Sequence, residues 1–73
     1  MVIKGDHIKY IDSRGIEHDA LVTMNWSETC VNLVYVTLDA NETDSYGQQI
    51  KRETSVVSRS IQTAPGNYWY KPE

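Results

Sequence analysis

The sequence predicts an all-β fold, a small five-stranded antiparallel barrel, and three observations carry that expectation. Patches of β-prone residues recur between turn signals at roughly 10-residue spacing, the pattern of a sandwich or barrel. No stretch places apolar residues at the i, i+3, i+4 and i+7 positions of an amphipathic helix between caps. The chain has 73 residues, room for one small domain, and an open sheet of that size would leave two unpaired edges that closure removes.

The first hairpin can be argued to its register. Asp12-Ser13-Arg14-Gly15 separates His7–Asp12 from Ile16–Val22. A two-residue loop at Ser13-Arg14 would set Ile8 and Tyr10 against the charges of Asp19 and Glu17. A three-residue loop, Ser13-Arg14-Gly15, pairs Asp12 with Ile16, Tyr10 with His18 and Ile8 with Ala20, and it puts Gly15 where a positive φ is needed. That register gathers Ile8, Tyr10, Ile16, Ala20 and Val22 on one face and leaves Lys9, Glu17 and Asp19 on the other. A one-residue slip would invert every side chain, so the coherent face decides for the three-residue loop.

Simple alternation carries the second strand through Val22, Met24 and Trp26 on one face. Ser27-Glu28-Thr29 then reads as a turn. Cys30–Leu38 is the most hydrophobic strand, with Leu33, Val34, Tyr35 and Val36 placing apolar groups on both faces, as expected of a central strand covered on both sides or of an outer face used for contact. Asp39–Gln49 is a polar loop, long for so small a domain and hence a candidate functional element. In Ile50–Arg59, alternation puts Ile50, Arg52, Thr54, Val56 and Ser58 on one face and Lys51, Glu53, Ser55, Val57 and Arg59 on the other. Ala64-Pro65-Gly66-Asn67 is a turn signal, and Tyr68-Trp69-Tyr70 is a short aromatic closing strand. Five short antiparallel strands suit a strongly bent barrel of the SH3-like type. An OB-like barrel is the runner-up, which usually needs more chain and a helix between its third and fourth strands.

Composition narrows the function classes. A chain this short buries only about 60% of its unfolded surface, so a partner or oligomeric neighbour is expected. Seven Lys/Arg against ten Asp/Glu argue against nucleic acid as the main partner, because phosphate-backbone binding needs clustered positive charge. The longest apolar run, Leu33-Val34-Tyr35-Val36, is far short of a membrane span. The single cysteine, Cys30, and an N-terminus without an apolar leader favour a reducing compartment.

Motifs for catalysis or metal binding do not emerge. His7 and His18 fall on opposite faces in the chosen register, with Cys30 distant, which is no zinc pattern. Asp39-Ala40-Asn41-Glu42-Thr43-Asp44 opens like a calcium loop, but its sixth position is Asp44 rather than Gly and its twelfth is Ile50 rather than Glu. The four glycines are scattered at turns, none of them cradling a phosphate. The reading is therefore a non-enzyme with no catalytic residues, no metal and no cofactor. What stands out instead is aromatic and cationic: Trp26, Tyr46, Tyr68, Trp69 and Tyr70, with Arg52 and Arg59. Trp69 is expected to close the core. Tyr46, Tyr68 and Tyr70, with Arg52 or Arg59 at the margin, are expected to form a contact patch of the kind enriched at interface hot spots.

Gly5-Asp6-His7-Ile8-Lys9-Tyr10 followed by a Gly turn resembles the opening strand of SH3-like domains, including the KOW type. Across nearly the whole chain, the segments His18–Thr23, Asn32–Val36, Asp44–Ile50, Thr54–Val57 and Ala64–Trp69 are similar to short, uncharacterised proteins of tailed bacteriophages. Gln48 stands where such sequences are expected to carry an Arg. The resemblance implies a phage context and a small β-fold, and it brings no catalytic residue. It leads to the expectation of a virion structural protein, a capsid decoration, cement or head-associated module docked on a larger assembly such as a capsid lattice. Away from the virion, the host cytoplasm is the expected location. A soluble inhibitor or sponge that binds a host protein or a nucleotide signal is the alternative, and a nucleic-acid-binding barrel the second.

Overall fold

A computed structural model of the chain describes residues 2–36, 50–61 and 66–72. The strands are β1 (His7–Ile11), β2 (Glu17–Asn25), β3 (Cys30–Val36), β4 (Ile50–Ser58) and β5 (Tyr68–Tyr70), with no helix among the described residues. They close a barrel in the order β1-β2-β3-β4-β5. Four of the pairings are antiparallel, and β4 with β5 is parallel, so the barrel is mixed rather than purely antiparallel as expected. Of the expected turns and strand ends, Thr37, Leu38, the loop Asp39–Gln49, Ala64 and Pro65 lie outside the described residues.

The β1–β2 register is the one that the three-residue loop requires. Ile8 pairs with Ala20 and Tyr10 with His18. The Asp12 N–H donates to the Ile16 carbonyl, and the Gly15 N–H to the Asp12 carbonyl. Gly15 has φ +80°, a region that L side chains rarely adopt. Ile8, Tyr10, Ala20 and Val22 enter the core, where they meet Val31, Leu33, Tyr35, Val56 and Trp69. Ile16 does not join them: it sits beside the turn and is exposed, because the face it was assigned begins only where β2 begins.

Two further assignments by alternation fail, each at a bulge. On β2, Val22 pairs with Leu33 but Met24 pairs with Asn32, so Thr23 is an extra residue. The bulge flips the end of the strand, and Met24 and Trp26 are exposed instead of sharing the face of Val22. On β4, Val56 pairs with Val31 but Glu53 pairs with Leu33, with the extra residue at Thr54-Ser55. Ser55 takes a positive φ of 55° there. Val56 is buried while Ile50, Arg52 and Thr54 are exposed, so they do not share its face. Both bulges meet at Asn32. Its Oδ1 accepts the Trp26 indole N–H at 2.9 Å and the Ser55 backbone N–H at 2.9 Å.

Closure depends on the approach of β5 to β1. Asn67 has φ 63°, and its N–H donates to the Ile11 carbonyl. Immediately before it, Gly66 passes so close to β1 that a Cβ would stand 2.0 Å from the Asp12 carbonyl oxygen. Gly66→Ala is therefore expected to force the two segments apart, at a cost of about 2 kcal/mol or more. For a domain this small that is a drop on the order of 10 °C in thermal melting; wild-type melting would show that the contact relaxes freely.

Candidate functional site

Among the described residues Asp12 and His18 are the buried polar pair, and their geometry is structural. Asp12 follows β1 and turns its carboxylate into the hairpin, where Oδ1 accepts the Arg14 and Ile16 backbone N–H groups at 2.8 and 3.0 Å. Its Oδ2 faces His18 Nε2 at 2.8 Å. A carboxylate only accepts, so Nε2 carries the proton. His18 is 4% exposed and lies against the rings of Tyr35 and Tyr10, with centroids 4.6 and 6.0 Å away. Its Nδ1 is buried without a hydrogen-bond partner. The core-side placement expected for His18 holds, but the Asp12 contact was not visible in the hairpin pattern alone. Burial pushes the Asp12 carboxyl up, yet the hydrogen bonds from His18, Ile16 and Arg14 outweigh it and hold the group below its ordinary value. Burial, with the nearby Glu53 carboxylate adding to it, raises the Tyr10 phenol strongly. The Tyr10 hydroxyl donates to Asn67 Oδ1 at 3.2 Å.

Outside the barrel the register lays out two rows. One sets Tyr70, Lys9 and Asp19 side by side, with the Val36–Ile50 pair farther round the wall, and the next runs His7, Leu21, Val34, Arg52. Asp19 Oδ1 takes both the His7 imidazole and the Lys9 ammonium. The hydrogen bonds from Lys9 and His7 lower the Asp19 carboxyl, and the bond to Asp19 raises Lys9. Beyond this polar strip lies an apolar face: Leu21 is 49%, Val36 58% and Ile50 45% exposed. With Val34 they border a groove of about 280 Å³. The second face of β3 was legible in the sequence. The contribution of Ile50 was not, because the Ser55 bulge hides which way β4 faces.

Among the five residues expected at an interface, the structure brings two together. Arg59 places its Cζ 4.2 Å over the Tyr70 ring, and the Tyr70 hydroxyl donates to Glu17. That hydrogen bond raises the Tyr70 phenol. Tyr68 is half-buried where β5 pairs with β1 and β4. Arg52 is exposed at the border of the apolar face, a full strand length of roughly 20 Å from Arg59. Tyr46 lies outside the described residues. Trp69 is core, with its indole N–H on the Thr29 carbonyl. Among the described residues, no group of three or more His, Cys, Asp or Glu side chains is placed to hold a metal ion. No known family model, curated protein or solved structure matches the chain. What the fold and site define is thus a class, a closed all-β barrel with an apolar outer face.

The lowered Asp12 carboxyl has a definite sign in stability. Its contribution is fully present above the ordinary carboxyl value near about pH 4, and it is lost as pH falls through the lower folded-state value. Acid titration followed by circular dichroism is expected to show destabilisation setting in below about pH 4. Asp12→Ala should shrink that acid limb and cost about 3 kcal/mol at neutral pH, because it strands two turn N–H groups and His18. An unchanged acid limb in the variant would assign the effect to other carboxylates.

Proposed function

We propose that this chain is a non-enzymatic interaction module with an SH3-like barrel. Its partner is a larger viral assembly, on which it docks as a capsid decoration, cement or head-associated protein. The observation that carries the docking reading is the apolar outer face of Leu21, Val34, Val36 and Ile50 on the wall of the closed barrel. An exposed apolar face of this kind recruits a partner through side-chain contact. The viral setting is supported by the resemblance of its segments to short phage proteins.

The size of the face favours an assembly over a self-sufficient dimer. Four aliphatic side chains fall well short of the roughly 800 Å² per partner of a standard stable interface. A contact that small suits one of several made to a repeating lattice, where each adds to the next. Arg52 at one border and the His7–Asp19–Lys9 strip at the other would fix orientation, as rim charges do. Tyr46, Tyr68, Tyr70 and Arg59 complete the proposed contact surface. Binding also adds stability to a small fold by mass action.

Gel electrophoresis of purified particles tests the reading, with this chain expected at a stoichiometry near that of the capsid subunit. Leu21→Glu with Val36→Glu should remove it from the particles. Melting of the isolated variant should stay within about 0.5 kcal/mol of the parent per exposed site. Absence of the chain from particles, or a trace amount, would end the proposal.

A further inference from the structure

Arg59 is poised differently from the other exposed cations. Its backbone N–H is fixed on the Trp69 carbonyl, and its guanidinium sits over Tyr70, with Cζ 4.2 Å from the ring centroid. The ring is held in turn through its hydroxyl on Glu17. Among the described residues no carboxylate is within ion-pair distance of Arg59. A guanidinium held over a ring by cation–π attraction still has N–H groups to offer an oxyanion, with less rotamer freedom left to lose.

Beside it runs a groove lined by Ser58, Arg59, Ser60, Trp69, Tyr70 and Lys71. Ser58 Oγ accepts from both the Ser60 N–H and the Ser60 hydroxyl, so its own proton is left to donate outward. Lys71 is held only loosely, its Nζ 3.9 Å from Asp6. In a chain of net charge −3, the groove thus collects donors: a guanidinium edge, an ammonium and a serine hydroxyl.

We propose that this groove binds a carboxylate of an acidic peptide segment on the partner protein, with Arg59 as the reader and Lys71 as the second charge. The proposal rests on the reading of the chain as a protein-docking module and names the partner's chemistry. Charge selects a peptide over a nucleic acid. Glu17 at the Tyr70 hydroxyl and Asp6 beside Lys71 flank the groove with negative charge. A polyphosphate strand would run into both, whereas a single carboxylate need meet only the donors.

Nuclear magnetic resonance titration of the full chain is the test. The probes are N-acetyl-Ala-Glu-Asp-Ala-amide, its Gln/Asn counterpart, inorganic phosphate and an oligo-thymidine strand. The acidic peptide is expected to shift the Arg59 side-chain N–H and the Ser58 and Ser60 amides, and the amide counterpart to leave them in place. Arg59→Gln should weaken binding about tenfold with unchanged melting, and Arg59→Lys should restore only part of it. Equal shifts with the neutral peptide, or none at these groups, would overturn the proposal. So would tighter binding of phosphate or oligo-thymidine. Particle association separates this proposal from the docking reading. If Arg59→Gln still joins particles while Leu21→Glu does not, and the peptide fails to bind, the groove proposal falls and docking stands. If the peptide binds but particles lack the chain, the groove stands without the viral assembly.

Discussion

A five-stranded sheet has two edges, and the three residues Tyr68–Tyr70 join them. β5 pairs antiparallel with β1 and parallel with β4, so one short strand satisfies two rows of backbone groups. Its central residue, Trp69, is the large side chain of that seam, buried with its N–H on the Thr29 carbonyl. The approach is possible because Gly66 has no side chain where β5 passes the Asp12 carbonyl. Asn67 then takes a left-handed turn into the strand. The hydrogen bond from Tyr10 to Asn67 and the placement of Tyr70 beside Arg59 both follow from this closure.

How much of this was legible in the sequence depends on whether a local signal existed. The first hairpin was, because a glycine at a fixed offset and a coherent apolar face agree on one register. Trp69 as core and the outward Tyr70 followed from alternation over three residues. Alternation failed where a bulge intervened, at Thr23 on β2 and at Thr54-Ser55 on β4. Neither bulge carries a glycine, and both are organised around Asn32, a residue on a third strand. A cross-strand amide leaves no mark in the local pattern of the strands it bends. The Asp12–His18 contact had a partial signal, an Asx residue opening the turn with a histidine on the core side. The apolar outer face was half legible, through β3 alone.

Charge in this molecule is sorted by position. The carboxylates of Asp12, Asp19 and Glu17 are each bound to a neighbouring donor, and they fix the turn, the outer strip and the Tyr70 ring respectively. Arg52 and Arg59 are exposed on the outer surface, one at the border of the apolar face and one at the seam of β4 and β5. An acidic chain can in this way present cationic contact points, since these three acids are engaged by donors of their own. Net charge describes solubility better than it describes what a particular face recognises.

The parallel β4–β5 pair also sets an order of events during synthesis. β1, β2 and β3 can zip up by neighbouring hairpins as each emerges, and β4 joins β3 in the same way. β5 must bridge the oldest strand and the most recent one, so no barrel exists until residue 70 has left the ribosome. Contacts that span most of the chain are slow to form, because the loop entropy is lost before the contact repays it. Until then the nascent sheet exposes both of its edges together with the apolar outer face. That interval, rather than the finished barrel, is where this chain is most exposed to aggregation.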